Sequence, residues 1–400
     1  MRLYFINRFY WPAELATAQL LVDLAESLAA QNCSVSVVVC HSAAGLPARE
    51  RRNGVEIIRV GSPPTDHHLA RRTMNAAWFH LAALALLWRT VRPGDVIVAL
   101  TDPPLIGVTA ALIARVRGAR LVHWIQDIYP EVLPAVTKSW IARITSGAFR
   151  PVRDVAWRNA AACVTLGEDM AATVRPNLSR KNRLHIVPNW APQGLHAGAA
   201  EEVAALRTHW GLGDRFIVGY SGNLGRVHDL SGLIQVAENF RTDPAIVFLL
   251  VGHGANYNAL RTEVDRKQLT NVRFLPPRPR GELSVSLSVP DVHLISLRPG
   301  CEKFVFPSKL YGVAAVARPV LLLGTRNSEL AETIARQAMG TVFDPHDTAG
   351  ISACLRRLAT EPAWRRSLEA AAGRFGLQNG GITRARDQWQ NILRPLFAPP

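Results

Sequence analysis

Short, almost unbroken apolar runs alternate with longer helix-patterned stretches along this chain, and the alternation starts twice. In the first half the runs lie at 2–7, 33–39, 55–60, 95–100, 119–125, 161–166 and 183–187, with helical patterning at 13–31, 71–90, 105–117, 138–159 and 168–175. Strands apolar on both sides suit a parallel sheet covered on both faces, because a strand with one wet face alternates. Parallel neighbours need a crossover, which the intervening helices provide, so the pattern predicts an α/β, doubly wound sheet. Turn chemistry at Pro188-Asn189-Trp190-Ala191-Pro192-Gln193-Gly194 closes this series. A second series then begins, with runs at 216–220, 245–251, 272–275, 292–297, 319–323 and 341–343 and helices at 230–240, 256–267, 309–317, 328–337 and 349–360. The expected organisation is a first domain at 1–190, a linker at 191–213, a second domain at 214–375 and an amphipathic helical segment at 376–400, with a cleft between the domains.

The 400 residues suit two domains of about 150–200 residues each. Five cysteines, odd in number and scattered, show no metal-ligand spacing and read as reduced thiols in a cytoplasmic protein. The apolar run at the start is too short for a signal peptide and reads as a first strand. The net charge of +15 is spread along the chain: 22 Lys+Arg against 13 Asp+Glu in residues 1–195, and 24 against 18 in 196–400. Nucleic-acid binders cluster such charge and interleave it with aromatics, so phosphate-bearing substrates or an anionic membrane surface explain it better. No stretch reaches the roughly 18–20 apolar residues needed to cross a bilayer. The nearest, AAWFHLAALALLW at 76–88, lies between Arg71-Arg72 and Arg89 and Arg92. Its length, basic flanks and terminal tryptophans fit a core helix or one lying in a membrane interface.

In open α/β sheets, ligands bind beyond the carboxyl ends of the strands. Ser221-Gly222-Asn223-Leu224-Gly225-Arg226 follows one such strand: its glycines permit close backbone approach to a phosphate, and Arg226 offers a forked cation. The spacing is not Gly-x-Gly-x-x-Gly, so a dinucleotide fingerprint is unsupported. Gly252-His253-Gly254 ends the next strand as a second tight turn. The run from Ser296 to Gly312 leaves a strand and enters a helix near Pro307-Ser308, bringing Arg298, Glu302 and Lys309 around one junction. Ser308 reads there as a cap or first-turn residue, Lys309 as a diphosphate partner and Glu302 as a binder of sugar hydroxyls. In the first domain, Gln126, Asp127 and Glu131 follow a buried strand, and Glu14 follows the first; these are the acceptor-side candidates. No Asp-x-Asp, Walker loop, zinc cluster or Gly-x-Ser-x-Gly elbow occurs.

Together these segments resemble the retaining, GT-B-fold glycosyltransferases (two Rossmann-like domains) that include glycogen and sucrose synthases and bacterial mannosyltransferases. Within them the chain is most similar to the polysaccharide subgroup of colanic-acid-type fucosyltransferases and O-antigen enzymes. The carriers are FINRFYWPAELATAQLLVDLAESLA, VHWIQDIYPE, IVPNW, YSGNLGRVHDLSGLI, FLLVGHG, NVRFLPP and PGCEKFVFPSKLYGVAAVARPV. The resemblance implies a UDP- or GDP-sugar donor, no metal or other cofactor, and retention of configuration. It also implies a lipid-linked glycan acceptor at the inner membrane face and no nucleic-acid partner. Arg226 and Lys309 would steady the diphosphate, and Gly222, Asn223, His228, Gly252, Gly254, Arg298 and Ser308 would complete the donor site. Asp127 and Glu302 would carry the catalytic roles.

This chain departs from the family's pattern at three places. Gly312 stands where the family has its ribose-binding Glu, and Glu302 lies ten residues before it instead of eight. The family's phosphate-binding Arg and Lys fall near Asn223 and His228, with Arg226 as their replacement. Gln126 stands beside Asp127 where many relatives have a His. Two other readings fit the same composition: a sugar-nucleotide 2-epimerase of the same fold, and a non-catalytic basic protein binding membranes or nucleic acid.

Overall fold

A computed structural model describes residues 1–41, 45–61, 69–137, 139–179 and 183–397, without the side chains of 69–72. Lys138 and the side chains of Arg71 and Arg72 therefore lie outside the described residues. The chain forms two compact units: Met1–Asn189 with Lys303–Phe306 and Ile382–Pro400, and Trp190–Glu302 with Pro307–Gly381.

The first unit holds β1 (Leu3–Ile6), β2 (Val35–Cys40), β3 (Arg49–Arg52), β4 (Val55–Val60), β5 (Val96–Ala99), β6 (Arg120–Trp124), β7 (Ala162–Thr165) and β8 (Leu184–Ile186). Their order is β3-β4-β2-β1-β5-β6-β7-β8, parallel except for β3, which pairs antiparallel with β4. β3 has the sequence RERR with alternating exposure, the composition of a wet edge strand, which an apolar-run criterion passes over. The chain leaves β1 in one direction to reach β2 and the sheet grows in the other through β5, so the topological switch point lies between β1 and β5. Helices Leu69–Thr90, Ile106–Arg117 and Trp140–Arg158 pack side by side on one face, burying Phe79, Leu87, Ile113 and Trp157 in a common core. Among the described residues no helix is long and apolar enough to cross a membrane.

The second unit holds β9 (Phe216–Ser221), β10 (Ile246–Val251), β11 (Val272–Leu275), β12 (Val292–Ser296), β13 (Val320–Leu323) and β14 (Gly340–Phe343). All pair in parallel in the order β11-β10-β9-β12-β13-β14, which puts the switch point between β9 and β12. Both sheets thus have the doubly wound, Rossmann-like form expected from the apolar runs.

Three segment boundaries differ from expectation. The stretch read as a linker contains the helix Ala200–His209, whose Val203 joins the second unit's core with Leu212. Polar, alanine-rich composition hid a helix that buries little of its surface. The helix Pro362–Asn379 runs through the expected boundary at 375, begun by a proline at its first turn and stacked through Phe375 on Tyr311. The last helix, Ile382–Leu393, belongs to the first unit, where Trp389 lies edge-on to Trp124 at 5.0 Å between ring centroids. Only tertiary packing decides that docking.

Candidate functional site

In the second unit the predicted donor residues gather at the switch point. β9 ends in Gly222, held to β10 by its amide on the Val251 carbonyl (2.9 Å), and Leu224 donates to the His253 carbonyl (2.9 Å). The two glycine loops therefore lie on one another. Gly252 and Gly254 have φ of +149° and +154°, and a Cβ at Gly252 would collide with the Gly222 carbonyl oxygen. At Gly254 a Cβ would come within 2.6 Å of the Leu224 carbonyl carbon, so close backbone approach explains both glycines.

Lys309 opens the helix Lys309–Ala315 and reaches back to this stack. Its ammonium donates to the Tyr220 hydroxyl (2.6 Å) and lies 3.8 Å from that ring's centroid; a Cβ at Gly222 would be 3.8 Å from Nζ. Tyr220 in turn donates to the Asn223 carbonyl (2.8 Å), which fixes the loop. Tyr220 is missing from the residues expected from sequence; its signal was a hydroxyl at the penultimate position of an otherwise apolar strand. Part of the Lys309 stem is accessible, but protein atoms crowd its ammonium, and this desolvation lowers its pKa to about 7. Among the described residues, no carboxylate lies within ion-pair distance of it.

The neighbouring loops are tied to the same place. Arg298 donates its amide to the Val227 carbonyl (2.8 Å), and Asn256 bridges the carbonyls of Gly225 and His228 (2.9 and 3.1 Å). Buried His228 donates Nδ1–H to the Ser296 carbonyl (2.5 Å), which leaves Nε2 with the lone pair. Burial first, and then the Lys309 charge, lower its pKa to about 3. A neutral imidazole with a bare Nε2 accepts hydrogen bonds, so His228 is not a cation for a diphosphate. A cavity of about 420 Å³ opens beside it, with Asp229, Asn256 and Arg298 in its wall. Arg226 is exposed, with no hydrogen bond or ion pair among the described residues.

Around the junction the structure adds three particulars. Ser308 stands at the helix start but its side chain makes no capping bond. Glu302 accepts from the Gly300 amide (2.7 Å), bracing its own turn. The junction is also not one loop: Lys303–Phe306 joins the first unit, where Phe304 and Phe306 pack on the core and the Ile128 amide donates to the Phe304 carbonyl (2.8 Å). Gly312 is buried, and a Cβ there would touch only the side chains of Leu195 and Leu287, apolar surroundings instead of a ribose-binding carboxylate's.

In the first unit the candidates meet fixed partners. Gln126 and Asn189 exchange reciprocal amide hydrogen bonds (3.2 Å each), so Gln126 is tied down in the interior. Glu131 grips Arg153 in a bidentate pair (2.8 and 2.6 Å), and that guanidinium, 5% exposed, lies 3.6 Å from the Trp157 ring centroid. Both were expected on the acceptor side; in the structure these partners occupy both side chains. Glu14 is exposed just before the first helix, Ala16–Ala29. Asp127 alone retains chemical potential. Its backbone amide donates to Thr101 Oγ1 (3.2 Å), and the residue lines a cavity of about 30 Å³ with His123 and Arg153. Burial, with the charge of Asp102, raises its pKa to about 7. Asp102 itself pairs with Arg8 at the switch point between β1 and β5.

In comparison with known proteins, the model of the "Glycosyl transferase 4-like domain" matches residues 17–190. Residues 17–190, less than half of the chain, are thus similar to that family. The chain is 24% identical over 265 residues to WbjE of Pseudomonas aeruginosa, described as a glycosyltransferase. It is 31% identical over 147 residues to WcaI of Escherichia coli (strain K12), assigned to colanic acid biosynthesis as a glycosyl transferase. These matches cover 65% and 36% of this chain, and span 65% and 36% of the relatives' own lengths. The crystal structure of Anabaena Alr3699/HepE in complex with UDP-glucose superposes with a TM-score of 0.76 at 15% identity, covering 99% of this chain and 100% of that one. The stretch that matches this model is followed by a second Rossmann-like unit, and the whole chain has the GT-B fold.

Proposed function

We propose that this chain is a retaining, metal-independent glycosyltransferase that moves a sugar from a UDP- or GDP-sugar to a lipid-linked glycan precursor of an extracellular polysaccharide. The single observation that carries the reading is Lys309: a desolvated ammonium beside the Gly222 turn, with no carboxylate among the described residues within ion-pair distance. Such a cation, next to two glycine turns at a sheet's switch point, suits a diphosphate, whose charge would restore the ammonium's proton. WbjE and WcaI support the reaction class by their descriptions, and the UDP-glucose bound to HepE supports the donor class.

In this reading Lys309 stabilises charge that grows on the departing diphosphate, and exposed Arg226 folds onto its outer oxygens. The Gly222–Asn223 backbone gives the phosphates room, with Gly252 and Gly254 supporting it from below. Arg298 and Ser308 complete the donor site, and Glu302 holds sugar hydroxyls once it leaves its own turn. Asp127, protonated near neutral pH, donates to or accepts from the acceptor hydroxyl. The acceptor's lipid portion places the enzyme at the cytoplasmic face of the membrane.

Thermal-shift measurements with UDP- and GDP-sugars in the presence of EDTA test this, followed by turnover with a membrane extract. A ligand that binds only the native state raises the melting temperature by mass action. A rise with one nucleotide class, undiminished by EDTA, is expected; no rise with any nucleotide sugar would overturn the reading.

A further inference from the structure

The helices that cover one face of the first sheet turn apolar side chains both ways. Trp140–Arg158 buries Ser146, Arg153, Ala156 and Trp157. At about 100° per residue, the opposite side of that helix carries Trp140, Ile141, Ile144 and Val155, with Val152 on its flank and Phe149 at the edge of the buried side. These six are between 48% and 68% exposed. An ordinary surface helix has the reverse arrangement, with its polar side outward. The adjacent helix Leu69–Thr90 exposes Trp78, Leu81 and Trp88 at spacings of three and seven, one stripe, while Phe79, Ala83 and Leu87 face the core. Between them Ile106–Arg117 exposes Leu112 and Val116, one turn apart. Scattered exposed apolar residues need no cause, but a contiguous field across three packed helices does.

Charge selects what covers it. The three helices contain nine arginines and one acidic residue, Asp154, which is already paired with Arg150 and Arg153. Arg89, Arg115, Arg143 and Arg158 are exposed at the margins of the apolar field, and Arg117 lies over the Trp88 ring. Tryptophans and arginines around an aliphatic centre, with the acids removed, complement anionic headgroups over an acyl layer. A protein partner would need no such one-signed rim.

We propose that this three-helix face seats the protein on an anionic phospholipid bilayer, its apolar side chains in the acyl boundary and its arginines among the headgroups. The inference deepens the lipid-linked acceptor reading and rests on it for its purpose. It places the contact chiefly on Trp140–Arg158, with residues 76–88 as a flank.

Co-sedimentation with phosphatidylcholine vesicles, with and without phosphatidylglycerol, tests it on the full chain. The wild type is expected to pellet with the anionic vesicles and to release as salt rises. Ile144→Glu combined with Phe149→Glu and Val152→Glu should weaken binding about tenfold or more, and Trp78→Ser with Leu81→Glu less. All these positions are exposed, so melting temperature and the nucleotide-sugar shift in lipid-free buffer should stay as in the wild type. Three results would overturn the proposal: wild type left in the supernatant at low salt, the triple variant pelleting like wild type, or a wild-type dimer in light scattering that the triple variant dissolves. Vesicle binding without any nucleotide-sugar shift would sink the transferase reading and leave this one standing; the shift without vesicle binding would do the opposite.

Discussion

The carboxyl ends of the two sheets have the same topology and opposite electrostatics. At the first, charges are already matched: Arg8 with Asp102, Glu131 with Arg153, and Gln126 with Asn189 in a neutral pair. At the second, Lys309 meets only a phenol and backbone, and Arg226 stands free in solvent. A switch point alone therefore does not make an anion site. What the proposed site requires is a cation left without its counter-ion where glycine lets the backbone recede, and among the described residues the second unit has both.

The largest expected effect breaks the second half of that contrast. Lys309→Met should reduce affinity for the nucleotide sugar by roughly a hundredfold, the scale of a desolvated charge-assisted contact, measured by titration calorimetry. In the wild type, donor binding above pH 7 must take up a proton on Lys309. Affinity should thus fall as pH rises past 7, by up to about tenfold per unit, and the Met variant should be flat. A wild-type affinity that rises with pH would remove Lys309 from the site.

A smaller effect tests the matched end. Glu131→Gln leaves the buried Arg153 guanidinium short of its bidentate partner, and should cost about 1–3 kcal/mol in denaturant unfolding. The nucleotide-sugar shift should persist in this variant; its loss would mean that Glu131 acts in the site after all.

A further test of the matched end concerns Asp127, whose raised pKa means that the folded protein holds a proton the unfolded chain has released. Stability should therefore decline as pH rises from about 4 to about 7 and level off beyond. Asp127→Asn should abolish that portion of the decline, melting a few degrees above wild type at pH 8 and near it at pH 4. Equal melting temperatures at pH 8 would show an ordinary carboxylate there.

Both sheets were legible in the sequence because parallel strands buried on two faces leave unbroken apolar runs. Elements that bury little were not: β3 is a wet edge, and Ala200–His209 shows no strong amphipathic pattern. At the site, glycine turns and a lysine at a helix start carry local signatures, so Gly222, Gly252 and Lys309 could be found. Partnership has none. Nothing near Glu131 in sequence announces Arg153, nothing near Gln126 announces Asn189, and the detour of Lys303–Phe306 into the first unit depends on a core assembled elsewhere.

The edge-on contact of Trp389 with Trp124 has a consequence for synthesis. Most of the first unit precedes the second, yet the helix that covers this tryptophan follows the second and leaves the ribosome after it. The second unit, by contrast, is complete once the chain has passed Gly381. Domains generally mature in the order of translation. Here the first unit must wait, its Trp124 uncovered, until the second, which lies between its segments, has been made.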